Sequence, residues 1–153
     1  MNQSTLTRAI QFMQAQRFGE AKRLLAELAN TAPDFATLRY CGLAHQYDGD
    51  LQNAVRYFER CSQLRPREPE PYIDAGTCLA NLNHFHAAKQ QFERATKFGP
   101  TIAMAHNNLG FACYKLGDFA RAEQSLRRAI KLDASLALAF KNLGHVMQDS
   151  NRW

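Results

Sequence analysis

Glycine returns along this chain at one interval. Gly42, Gly76, Gly110 and Gly144 are each thirty-four residues from the next. Ala54, Ala88 and Ala122 keep the same interval, Phe58, Phe92 and Leu126 share a second position, and Pro33, Pro66 and Pro100 close the units. A fixed period of this length restricts the fold to a stack of similar small units, each covering its apolar face with its neighbours. The unit is clearest around Asn107–Ala122. Leu109, Ala112, Cys113 and Leu116 fall at three- and four-residue steps, which predicts one buried helical stripe. Gly117 can adopt the left-handed conformation that ends a helix, and Asp118 can cap the next one with its carboxylate. Phe119, Ala122, Leu126, Ala129 and Ile130 then repeat the stripe, so the unit is a helical hairpin.

At these positions the chain resembles the tetratricopeptide repeat family, whose pattern over 34 residues is W-x2-L-G-x2-Y, then A-x3-F, then P. Leu109-Gly110, Leu143-Gly144, Ala54 to Phe58, Ala88 to Phe92, Pro66 and Pro100 carry the match. The Trp position is filled by Leu38, Tyr72, His106 and Phe140, and the Tyr position by His45, Leu79, Cys113 and Met147. The resemblance implies an all-α fold, a right-handed α-solenoid of antiparallel helix pairs. It also implies a single domain over 1–153, with repeats at about 2–34, 35–68, 69–102 and 103–136 and a partial fifth at 137–153.

The outer units are worn. Ser4 or Thr5 is expected to cap a first helix running to about Gln16, with Leu6, Ala9, Ile10 and Met13 on its inner face. Turns are expected at Gly49-Asp50 and Asn83-His84, and the Pro-rich run Arg65–Pro71 reads as a junction between repeats. The partial fifth repeat shows Phe140, Leu143, Gly144 and Met147, and Trp153 stands at the place of Phe119. These residues still seek a partner helix. The helix either serves as the terminal cap or belongs to a chain that continues, and the second is the expectation; self-association through 137–153 is a further alternative.

The net charge of +5 raises the question of nucleic acid. The excess falls on second helices, in residues such as Arg94, Lys97, Arg121, Arg127, Arg128 and Lys131, interleaved with acids. First helices balance Arg8, Arg39, Lys115 and Lys141 against Asp48, Glu70, Asp74 and Asp149. No Arg/Gly tract or exposed aromatic series accompanies the bases, so a solvated surface is expected and nucleic acid is not. Cys41, Cys61, Cys78 and Cys113 form no C-x-x-C pair and read as small core residues. His84 and His86 bracket a turn with no further ligand at metal spacing. No apolar run is long enough to span a bilayer, and the expected location is the cytoplasm. With no phosphate loop, nucleophile elbow or ligand cluster, the reading is a non-catalytic module without cofactor.

In the family, first helices line a concave groove. The resemblance therefore implies that Arg39, Tyr40, Leu43, Tyr47, Ile73, Asp74, Thr77, Asn81, Asn107, Asn108, Phe111, Tyr114, Lys115, Lys141, Asn142, His145 and Gln148 face a protein partner, as an extended peptide or a helix. Asn108 and Asn142 share a repeat position and resemble the asparagine ladder of O-linked N-acetylglucosamine transferases. That likeness makes a substrate-recruiting arm of a glycosyl- or sulfotransferase the alternative. A carboxylate clamp for chaperone C-terminal tails needs Lys or Arg at set offsets. Its three registers give Leu6, Ile10, Tyr40, Glu70 and Asp74; Arg39, Leu43, Asp74, Met104 and Asn108; and Ile73, Thr77, Asn108, Leu138 and Asn142. None supplies the cationic pair, so a chaperone tail is not expected.

Overall fold

A computed structural model describes residues 2–31 and 33–150, without the side chain of Asn2. The described residues form nine helices: α1 Asn2–Gln14, α2 Phe18–Thr31, α3 Phe35–Tyr47, α4 Leu51–Leu64, α5 Glu70–Asn81, α6 Phe85–Phe98, α7 Ala103–Lys115, α8 Phe119–Leu132 and α9 Ala137–Asp149. The chain divides into two compact units, 1–67 and 68–153. The all-α expectation holds. Trp153 lies outside the described residues.

Short turns make each hairpin antiparallel. Three of the four turns behave as their sequences predict. Gly49 and Gly117 take φ of +82° and +77°, and Asn83 takes +61°. The carboxylate of Asp50 accepts from the backbone N–H of Asn53 at 3.3 Å, and that of Asp118 from Arg121 at 3.2 Å. These caps satisfy donors that a helix start leaves open. The first turn departs from expectation. α1 stops at Gln14, and Gln16 adopts the left-handed role at φ 57°, although a side chain there costs about 1 kcal/mol. Ser4 and Thr5 also lie inside α1, which begins at Asn2, so neither is its cap. Water can serve the first N–H groups of an exposed helix end.

In the first unit α1, α2, α3 and α4 pack in sequence, and α1 also reaches α3. Ala9, Ala21, Leu25, Leu38, Cys41, Ala44 and Cys61 form the core. In the second unit α5, α7 and α9 form an inner row, with α6 and α8 packed between them on the outer side. Ala88, Phe92, Leu109, Ala112, Cys113, Leu126 and Val146 make its main core. Tyr72, Ala95 and Ala105 make a smaller one, where the rings of Tyr72 and Phe98 stack at 5.7 Å.

The periodic glycines are explained by what stands over them. A Cβ on Gly42 would meet the ring of Phe58 at 2.5 Å, and one on Gly76 the ring of Phe92 at 2.6 Å. On Gly110 it would meet Cγ of Leu126 at 2.6 Å and the carbonyl oxygen of Ala122 at 3.1 Å. Each first helix thus receives the bulky residue of its own second helix, sixteen positions on. Phe58 and Phe92 are 0% and 1% exposed, and truncating either to alanine is expected to cost about 3–5 kcal/mol. All four cysteines are buried free thiols, in keeping with core use. Burial pushes the thiols of Cys41 and Cys78 up to about 12.

Candidate functional site

The inner row of the second unit holds a cleft of about 250 Å³. Thr77, Ala80 and Asn81 from α5, Phe92 from α6, Asn107, Asn108 and Phe111 from α7, and Leu138 and Asn142 from α9 line it. No ionisable side chain is among them. Phe92, Ala80, Phe111 and Leu138 give it apolar walls, while the asparagines supply polar groups at fixed points. Small ligand sites have this character, mostly apolar with a few placed polar atoms.

The asparagines are joined. Asn142 Nδ2 donates to Asn107 Oδ1 at 3.0 Å, and Asn107 Nδ2 donates to Asn108 Oδ1 at 3.1 Å. Asn107 also reaches the sulfur of Met104 at 3.8 Å. Asn107 is only 1% exposed, so its amide is consumed by its neighbours. Asn108 and Asn142, which share a repeat position, are thus joined by a relay through Asn107. The relay runs from α9 to α7 and leaves Asn108 Nδ2 and Asn142 Oδ1 for other partners.

Beyond the cleft, Phe111 meets the ring of Phe85 edge-on at 6.2 Å. Lys115 stands over both rings, its ammonium 5.7 Å from Phe85 and 5.8 Å from Phe111. Such contacts hold a cation in place without a carboxylate. The hydroxyl of Tyr114 donates to Asp149 at 2.5 Å, and its ring lies 6.4 Å from that of His145. The bond to Asp149 raises the Tyr114 phenol above the usual tyrosine range, because it favours the protonated form. Lys141 and His145 are exposed on α9, and Asp74 is half-buried on α5.

The predicted residues thus separate. Thr77, Asn81, Asn107, Asn108, Phe111 and Asn142 meet in one cleft, and Tyr114 and Lys115 continue along the same helix. Arg39, Tyr40, Leu43 and Tyr47 belong to α3 in the first unit, where Tyr40 packs on the core and Tyr47 stacks on Phe18 at 6.0 Å. Three lining residues escaped the sequence reading as site residues: Ala80, Phe92 and Leu138. Leu138 carried a signal, an apolar side chain one turn ahead of Asn142. Phe92 carried none, because its repeat position marks it as a core residue, and it serves the core and the cleft at once.

Tetratricopeptide repeat models match residues 37–72 and 103–136. This chain is a tetratricopeptide repeat protein. No curated protein is similar enough in sequence to count as a match. Among solved structures, MamA residues 41 to the end from Desulfovibrio magneticus RS-1 superposes with a TM-score of 0.91 at 22% identity, covering 99% of this chain and 86% of that one. TTC0263, a thermophilic repeat protein of Thermus thermophilus, gives 0.74 at 19%, covering 99% and 84%. The first repeat domain of Spaghetti (RPAP3), solved with the HSP90 peptide SRMEEVD, gives 0.74 at 17%, covering 76% and 93%. At these identities the shared property is the fold. Tetratricopeptide arrays are protein-interaction modules as a class, and no helix among the described residues is long and apolar enough to cross a membrane.

Proposed function

We propose that the inner row of the second unit binds an extended segment of a partner protein, with one apolar side chain of that segment seated in the cleft. The observation that carries this reading is the cleft's chemistry. It has apolar walls, no charge, and two amide atoms left over by the asparagine relay. A peptide backbone offers one C=O and one N–H per residue. Asn108 Nδ2 suits the carbonyl, and Asn142 Oδ1 suits the N–H. A cleft of about 250 Å³ suits a single leucine, methionine or phenylalanine side chain. The role is non-catalytic, and a reducing compartment such as the cytoplasm suits four buried thiols.

The peptide carried by the RPAP3 domain supports the mode but not the ligand. At the clamp positions of this unit stand Ile73, Thr77, Asn108, Leu138 and Asn142, and the last four line the uncharged cleft. A terminal carboxylate would lose its hydration there without gaining a cation. The test is a panel of extended peptides with a central leucine or phenylalanine, titrated by fluorescence anisotropy. Binding should fall for Asn108→Ala and for Leu138→Asp while far-ultraviolet circular dichroism is unchanged. Equal affinity of both variants and the parent protein would remove the cleft from the interaction, and tighter binding of an acidic C-terminal tail would refute the neutral-ligand reading.

A further inference from the structure

We propose that the outer side of the second unit carries a binding site for a phosphate monoester, presented as a phosphorylated side chain of a partner protein. The observation behind it is a repeat that has kept its cations and lost their rings. In the third repeat Tyr72 and Phe98 stack at 5.7 Å. The guanidinium of Arg94 lies 5.9 Å from the Tyr72 ring, and the ammonium of Lys97 lies 5.7 Å from the Phe98 ring. Thirty-four residues on, the same four positions hold His106, Leu132, Arg128 and Lys131. The phenol and the phenyl are gone, both cations remain, and a hollow of about 480 Å³ opens beside them.

Thr96 of α6, His106 of α7, and Ser125, Arg127, Arg128 and Lys131 of α8 help to line this hollow, and it shares no residue with the asparagine cleft. The site is therefore independent of the peptide-binding reading. His106 Nε2 donates to the carbonyl oxygen of Pro100 at 3.0 Å, which fixes the imidazole. Arg127 gives its Nε to Glu123 at 2.8 Å and keeps both terminal nitrogens. Arg128, Lys131 and the hydroxyl of Ser125 have no polar partner among the described residues. A phosphate monoester brings a charge of about −1.5 to −2 and three acceptor oxygens, and a guanidinium can grip two of those oxygens at once. A single carboxylate brings less charge to the same three cations. A nucleic-acid strand spreads its charge along a line and needs rings for its bases to stack on, the groups this repeat has lost. Tetratricopeptide arrays engage proteins as a class, so the source favoured is a phosphorylated protein side chain.

Fluorescence anisotropy of the full chain tests the site, with a labelled and otherwise uncharged peptide carrying one phosphoserine, and with its unphosphorylated twin. The phosphopeptide should bind and the twin should not. Inorganic phosphate should compete more strongly than chloride at equal ionic strength, since chloride only screens. Arg128→Gln and Lys131→Gln should each weaken binding about tenfold, with circular dichroism unchanged. Arg94→Gln removes the same charge from a position that keeps its ring, and should leave binding unaltered. His106→Tyr returns the third repeat's ring to the hollow, and should weaken binding by about tenfold or more without lowering Tm. Equal binding of the two peptides, equal loss in Arg94→Gln and Arg128→Gln, or competition by chloride as strong as that by phosphate would each overturn the proposal. So would a single-stranded oligonucleotide that displaces the phosphopeptide at lower concentration than phosphate does, which would make the hollow a nucleic-acid site.

Discussion

The same substitution at two equivalent glycines should change stability in opposite directions. Gly110 and Gly144 both sit inside helices at one repeat position. Replacing either with alanine removes the backbone freedom that glycine adds to the unfolded chain, a gain of about 1 kcal/mol. At Gly144 the new methyl group meets nothing within 4 Å among the described residues, so the gain is kept. At Gly110 it meets the branch carbon of Leu126 at 2.6 Å and a backbone carbonyl oxygen at 3.1 Å. Neither is the free end of a flexible chain, and Leu126 is fully buried. Overpacking of this kind costs about 1–3 kcal/mol, which leaves Gly110→Ala destabilised by about 1 kcal/mol on balance. Urea or thermal denaturation reads the difference. It amounts to about 2 kcal/mol, or roughly 4–8 °C in Tm. Two variants shifted in the same direction would refute the argument that the glycine is retained for the contact above it. Gly110→Leu should exceed Gly110→Ala in damage, since the added branches must displace α8.

Gln16→Gly should raise stability by about 1 kcal/mol in the same assay, by relieving the left-handed backbone at φ 57°. Asp50→Ala should lose about 1 kcal/mol through the missing cap. The carboxyl of Asp50 is held below its ordinary range by hydrogen bonds, first from the Asn53 side chain and then from His45. Its contribution is therefore complete above the unfolded pKa of about 4 and is lost as pH falls through the lower folded value; the pH dependence of urea unfolding should flatten in the variant. Tyr114 should ionise above ordinary tyrosines in an absorbance titration, and Asp149→Asn should bring it back down. Because its folded pKa is the raised one, any stabilisation from that bond is present below the unfolded value near 10 and disappears as pH rises through the folded one.

The fold was legible because the period repeats its own evidence. Gly42, Gly76 and Gly110 each predict a close approach, and Phe58, Phe92 and Leu126 each supply it. The turns at Gly49, Asn83 and Gly117 were legible because few residues tolerate positive φ. Gln16 was not, since a glutamine announces nothing and only the packing of α1 on α2 forces the turn there. The cleft was half legible. Offsets placed Thr77, Asn108 and Asn142 on the inner row, but whether Asn107 points outward or inward depends on a few tens of degrees of helix rotation. That rotation is set by the packing of α9 against α7, which no single repeat encodes. Leu138 entered the cleft for the same reason.

The asparagine relay has a further consequence, which concerns direction. An amide has an oxygen end and a nitrogen end, and Asn107 is locked at both, its oxygen by Asn142 and its nitrogen by Asn108. Turning any one of the three amides over would set like atoms against each other, and turning all three would take Asn107 Nδ2 away from the sulfur of Met104, so the chain of bonds has a single sense. The donor is therefore left on α7 and the acceptor on α9. In the proposed binding mode, a strand lying across these helices meets a surface that distinguishes its carbonyl edge from its amide edge. Two peptides with the same side chains read in opposite order are not equivalent to it, and the buried amide that touches no ligand is the group that tells them apart.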